Sequence, residues 1–317
     1  MYFPILRGKQ FELKALREFS ASCPNNTHVI PIIEPVNESH SSLVQGIKEM
    51  SQNGLRFAMI LNPELGDFKH ENVSFKLLED CPEMLEQLDR WIPAYLVKRD
   101  APMIKQQIDK SPFPNDVMLV VKSAIDLDDV SMMELINDNR VGYIVHDFSS
   151  SSRRVKSHII GTKKRVIELN DCFVSKKRNA DYLESEDETF SETPFYYKED
   201  RFFGFSDYTA LPSEYVEGGM LPYAIAIHLT YQKSSDQVYI HHFVSDTNWS
   251  QSDPKKKFRE AAIKIASFFA NKPHTSAVDD LIDRATDSDG YPGLGYLKKL
   301  SISNHLELIN RILSGED

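Results

Sequence analysis

Nine residues, Arg7, Glu34, Asn62, Lys98, Lys122, His146, Glu168, Asn170 and Asp207, stand at or just past the ends of short apolar runs. Loop starts are usually Gly, Ser, Asn or Asp, so two Lys, an Arg, two Glu and a His at such positions suggest a shared pocket. Three chemistries fit. Lys98 and Lys122, on neighbouring runs, would depress each other's pKa, leaving one as a base or Schiff-base nucleophile. Glu34, Glu168 and Asp207, with His146 or Asn62, would hold a divalent cation for phosphoester chemistry. Arg7, Lys98 and Lys122 would clamp a phosphate or carboxylate, with Asn62, Glu168 and Asn170 lining the same site. Each has a plainer counterpart, ion pairing among these side chains, and the sequence leaves the choice open.

The elements that must position these residues are strands and helices in alternation. Apolar runs of strand length begin near residues 2, 28, 56, 92, 117, 141, 165 and 202, most of them 24 to 28 residues apart. They are continuous rather than alternating, as in strands buried on both faces of a parallel sheet. Several intervals carry helical periodicity: "FELKALREF" (11–19), "SSLVQGIKEM" (41–50) with Ser41 or Ser42 as N-cap, "APMIKQQI" (101–108), and "VSMMELIN" (130–137) after the capping acids "DLDD". Eight such units predict an α/β fold, a (β/α)₈ TIM-barrel-like domain, in which the C-terminal strand ends form the active face. A dinucleotide-binding open sheet is disfavoured, because "LRGKQFE" after the first run is not the glycine fingerprint.

The expected organisation is a barrel over residues 1–272 and a helical C-terminal extension over 273–317. The polar stretch 175–201 reads as an acidic helix-and-loop insertion, and 222–246 as a β-hairpin insertion turning on "QKSSD". "DPKKKFREAAIKIASFFA" (253–270) reads as a helix capped by Asp253, with Pro254 at N1, that closes the barrel. On the hairpin, His241 and His242 point to opposite faces, so only one of them can meet His228; plain surface histidines are the simpler expectation. "DGYPGLG" (289–295) lacks the Lys-Ser/Thr of a phosphate loop and reads as a plain loop.

With Lys+Arg 37 against Asp+Glu 47, the net charge of −10 disfavours nucleic acid as the main partner and suits a basic protein better. The best local basic patch is Arg153, Arg154, Lys163 and Lys164. Cys23, Cys81 and Cys172 lie far apart with no metal-ligand spacing. No apolar run nears the roughly 20 residues of a membrane span and the N-terminus has no signal-peptide pattern, so a soluble, cytoplasmic protein is expected.

The blocks "YFPILRGKQFELKALREF", "IPIIEPV" and "GFSDYTALP", followed by "AIHLTY" and "YIHHFVSDTN", resemble the beta protein family of phages and bacterial mobile or defence islands. The resemblance spans most of the chain. It implies a two-gene antiphage-defence or toxin-type module, because the subgroup with this N-terminal block tends to be encoded beside a small protein resembling PD-(D/E)XK nucleases. It supplies no catalytic residues, although Arg7, Glu34 and Asp207 lie inside the shared blocks. Two functions therefore stand as expectations: a partner or regulatory subunit of such a nuclease-like protein, and an enzyme acting on a small anionic, phosphorylated substrate.

Overall fold

The computed structural model describes residues 1–70, 73, 75–81, 84–85, 89–218, 221–287 and 290–315. The chain divides into two compact units, one of Met1–Gln10, Ser20–Asp171 and Tyr196–Asp207, the other of Phe11–Phe19, Cys172–Phe195 and Tyr208–Asp317.

The first unit is the predicted barrel. In chain order its strands are β1 (Ile5–Leu6), β2 (Ile32–Ile33), β3 (Phe57–Ile60), β4 (Trp91–Val97), β5 (Val117–Val121), β6 (Val141–His146) and β7 (Arg165–Leu169). After β8 (Asp187–Ser191), which belongs to another sheet, β9 (Gly204–Ser206) completes it. All neighbours pair in parallel in the order β1-β2-β3-β4-β5-β6-β7-β9. Parallel bridging of Tyr2 to Phe205 closes the ring, with backbone N–H groups of Phe3 and Ile5 donating to Phe205 and Asp207 at 2.8 Å. Both faces are covered: every residue of β4 and of β5 is buried, as their continuous apolar sequences require.

The helices between strands are α1 (Gln10–Ser22), α2 (Ser41–Gln52), the single turn α3 (Leu77–Asp80), α4 (Ala101–Lys110), α5 (Val130–Asn137) and α6 (Arg153–Ile160). Asp129 caps α5, accepting from Met132 N–H at 3.1 Å. In α2 the cap position falls on His40 rather than on Ser41 or Ser42, and no side chain caps it.

The second unit departs from the expected organisation. The stretch read as a polar insertion contains β8, which pairs antiparallel with β11 (Gln237–Val244), itself paired with β10 (Ala226–Ser234). β8 carries no apolar run because "DETFS" is an edge strand with only its last two residues buried. The short turn α7 (Thr193–Tyr196) follows it. The hairpin is present, but the helix expected to close the barrel, α8 (Pro254–Phe269), packs with α9 (Ser276–Thr286) and α10 (Leu294–Ser314) in the second unit's core of Ile227, Leu229, Phe243, Phe258, Ile265 and Leu281. Residues 253–270 and 273–317 thus share one core. The barrel needs no closing helix, since backbone hydrogen bonds already join its ends. Asp253 does cap α8, accepting from Lys256 N–H at 3.0 Å. Of the loop before α10, Asp289 lies outside the described residues.

Candidate functional site

Because all eight barrel strands run the same way, the residues that follow them gather at one end, the mouth. The turn after β1 is made by Gly8 at φ +62°, where a Cβ would stand 3.3 Å from the Glu34 carbonyl oxygen. This close approach seats Arg7 beside Glu34, with Nη1 to Oε2 at 2.5 Å. Gly66, at φ +63°, lets the loop after β3 press on the Val36 carbonyl, and the Glu64 backbone N–H donates to the Glu34 carboxyl. Glu64 in turn pairs with Lys98. Lys122, just past β5 and three strands away, is close enough across the mouth for its charge to act on Glu34. Arg7, Glu34, Lys98 and Lys122 are therefore brought into one group, completed by Glu64.

Glu34 is only 2% exposed. Burial raises the pKa of its carboxyl above the ordinary value of 4.5, against the pull of Arg7 and then of Lys122. Desolvation prevails because few donors face the anion and most of its hydration is lost. Across the mouth, Glu168 on β7 is likewise raised by burial, opposed by Lys156 at 3.3 Å, with Asp200 and Asp147 adding to the rise. Lys156 also lies 4.7 Å over the ring of Phe202.

The other expected site residues are placed differently. Asp207 is buried and accepts from the Tyr2 hydroxyl at 2.5 Å. His146 is buried, and its ring donates from Nδ1 to the Val121 carbonyl at 3.0 Å while Nε2 faces the Ser151 hydroxyl at 3.2 Å. Burial lowers its pKa, and both ring nitrogens are engaged. Asn62 bonds the Leu96 backbone with both amide ends, at 2.8 and 3.0 Å, extending the strand ladder rather than facing a ligand. Asn170 is exposed just past β7.

Glu34, Glu168 and Asp207 each have separate partners, and among the described residues no group of three or more His, Cys, Asp or Glu could hold a metal ion. The four basic residues fall at the two ends of one helix. Arg153 and Arg154 open α6 while Lys163 and Lys164 follow its end, about 12 Å along the axis. Lys164 is moreover turned onto the Asp138 and Val141 carbonyls at 2.6 and 2.8 Å.

Sequence reasoning missed Glu64, Lys156 and Tyr2. Glu64 was visible as an acid two residues past the strand-end Asn62. The Tyr2 contact had no sequence signal, because its partner lies 205 residues away.

In the second unit, His228 and His242 do meet across the hairpin, with Nδ1 atoms 2.7 Å apart. They are not surface histidines: His242 is buried, and the Tyr182 ring packs 4.7 Å from His228 and 4.5 Å from His242. Burial, then the neighbouring His242 and Lys298, lowers the His228 pKa to about 3. One neutral ring accepts from the other, and the pair is part of the packing.

Fold and mouth define the class, a (β/α)₈-barrel protein with a ring of polar and ionisable side chains at its C-terminal strand ends. Compared with known proteins, the chain matches no family model and no curated protein. No helix among the described residues is long and apolar enough to cross a membrane.

Proposed function

We propose that the barrel mouth takes a small anionic, phosphorylated substrate, and that Glu34 exchanges a proton with it. The observation carrying this reading is Glu34 itself, a buried carboxyl raised above its ordinary pKa yet set against Arg7 and Lys122. A carboxyl tuned upward is suited to general acid–base work, and neighbouring cations recruit an anion. Arg7, Lys98 and Lys122 hold the anion, and Glu168 with Lys156 lines the opposite side. The test is a screen of phosphorylated small molecules for binding and turnover. Lys122→Ala should weaken binding with little loss of stability, because Lys122 is exposed. Glu34→Gln should bind and fail to turn over. If Lys98→Ala, Lys122→Ala and Glu34→Gln all behave as wild type, this reading is wrong.

A second reading makes the chain the partner or regulatory subunit of a PD-(D/E)XK nuclease-like protein in a two-gene module. It is supported by the resemblance to the beta protein family, by the net charge of −10, and by the second unit's exposed Val216, Leu221, Tyr223 and Trp249, the last 73% exposed. Gln251 Nε2 donates to the Leu221 carbonyl at 2.7 Å and so ties the two loop segments together. Co-purification with the neighbouring gene product, weakened by Trp249→Ser, is the expected outcome. Failure to associate at low salt would count decisively against it.

A further inference from the structure

The second unit holds a recess of about 410 Å³, a volume in the range of small-molecule sites. One wall is a single face of α10, which presents Asn304, Leu308, Arg311 and Ile312 at helical spacing. The end of β10 and its turn form a second wall, and Phe269 at the end of α8 and the segment 273–275 complete the lining.

The buried part of the lining is neutral. Asn304, 1% exposed, donates its amide to the Thr230 carbonyl at 2.9 Å and accepts from the Thr275 hydroxyl at 2.8 Å. The Thr230 hydroxyl meets His305 Nδ1 at 2.9 Å. These polar groups are spent on one another, as buried polar groups must be. A ligand entering the recess therefore meets apolar surface, chiefly that of Pro273, Leu308 and Ile312.

The outer part is cationic. Lys233 and Arg311 line the recess, and among the described residues no carboxylate does, although the chain as a whole carries a net charge of −10. Each cation has an acidic partner that is itself shared. Asp187 takes Lys233 at 2.8 Å and the Tyr231 hydroxyl at 2.8 Å. Glu307 takes Arg311, and also the Ser276 backbone N–H at 3.0 Å and hydroxyl at 2.7 Å where α9 begins. Beyond these pairs, Arg311 Nη1 donates to the His274 carbonyl at 2.9 Å and Lys233 lies 4.4 Å over the Tyr239 ring. A guanidinium has five N–H groups and an ammonium three, so both side chains retain donors for a further acceptor. The third basic side chain, His274, has its ring nitrogens on the Lys272 carbonyl and Asp279, each at 2.9 Å, and adds no donor.

Apolar walls below two partly compensated cations suit a molecule with one negative charge and an apolar body. A phosphate dianion fits less well, because its second charge would lose hydration without a cation of its own. We propose that this recess binds an amphipathic carboxylate, with the carboxyl group on Lys233 and Arg311 and the apolar body against Leu308 and Ile312. The site lies within the second unit and does not rest on the reading of the barrel mouth.

The experiment is calorimetric titration of the full chain with octanoate, with octanamide as the neutral analogue and acetate as the anion without an apolar body. Octanoate should bind saturably, octanamide at least about tenfold more weakly, and acetate without measurable heat. Arg311→Gln and Lys233→Gln should each weaken octanoate at least about tenfold and leave octanamide unchanged. Ile312→Gln should weaken both ligands about tenfold, since it removes apolar surface that they share. Arg154→Gln, a surface cation of the barrel unit, should leave octanoate unchanged. Lys233 is exposed, so Lys233→Gln carries the test even if Arg311→Gln fails to fold. The proposal is overturned if octanoate does not bind saturably, if octanamide binds as tightly as octanoate, or if Lys233→Gln binds octanoate as wild type does. Loss of octanoate binding in Arg154→Gln with Lys233→Gln unaffected would overturn it equally, by moving the carboxylate to the barrel unit.

Discussion

Two carboxyls of the barrel unit, Glu34 at the mouth and Asp138 at the N-terminal end, each face an arginine, yet they are shifted in opposite directions. Asp138 receives Arg140 through its backbone N–H at 2.9 Å, Nε at 3.0 Å and Nη2 at 2.8 Å, and Lys105 at 3.1 Å. The Arg140 hydrogen bonds hold its carboxyl well below the ordinary 3.8, although burial opposes them. Glu34 receives Arg7 and one backbone N–H, and burial prevails. The number of donors aimed at the anion, measured against its lost hydration, decides the direction. Asp138 is thus an anion held between α5 and β6, whereas burial shifts the Glu34 carboxyl toward its protonated form.

The comparison can be broken at several points. Asp138→Ala should have the largest effect on stability, about 3 kcal/mol in a urea titration at neutral pH, because it strands Arg140 without its main partner. A loss under about 0.5 kcal/mol, the level of an ordinary surface change, would show that the cluster is not structural. The pH dependence should then separate the two groups. Asp138, with its lowered pKa, contributes stability that is present above 3.8 and lost as pH falls below it. Glu34, with its raised pKa, contributes stability that is present below 4.5 and lost as pH rises through its elevated value. Denaturation midpoints in Asp138→Asn should lose part of the acid limb, and those in Glu34→Gln part of the decline toward neutral pH. Identical limbs in both variants would erase the distinction.

Lys122→Met should leave the melting temperature nearly unchanged and raise the Glu34 pKa further, read by carboxyl NMR of labelled protein. No movement would place Lys122 outside the mouth group. Arg154→Ala should have the smallest effect, within about 0.5 kcal/mol, because its pair with Asp128 at 3.8 Å is between two exposed side chains.

The barrel was legible because its signal is local and repeated: a strand buried on both faces must be continuously apolar, and eight recurrences at a steady interval leave few other folds. The strand-end positions of Arg7, Glu34, Lys98, Lys122 and Asp207 follow from the same rhythm. Less legible was β8, whose "DETFS" carries no apolar run because an edge strand with a mostly wet surface does not need one. The packing of α8 is not legible for a related reason: amphipathic periodicity shows that a helix has a partner and not which partner.

The sequence alone determined the (β/α)₈ barrel and the set of ionisable residues at its C-terminal strand ends. Tertiary structure alone decided which of them act together. Pairing depends on side-chain reach and burial across strands distant in sequence: Asn62 turns to the Leu96 backbone, His146 closes on Val121 and Ser151, and Asp207 takes the Tyr2 hydroxyl. Glu34 meets Arg7 because Gly8 permits the close turn between them, and its raised pKa arises from a desolvation that no run of residue types encodes.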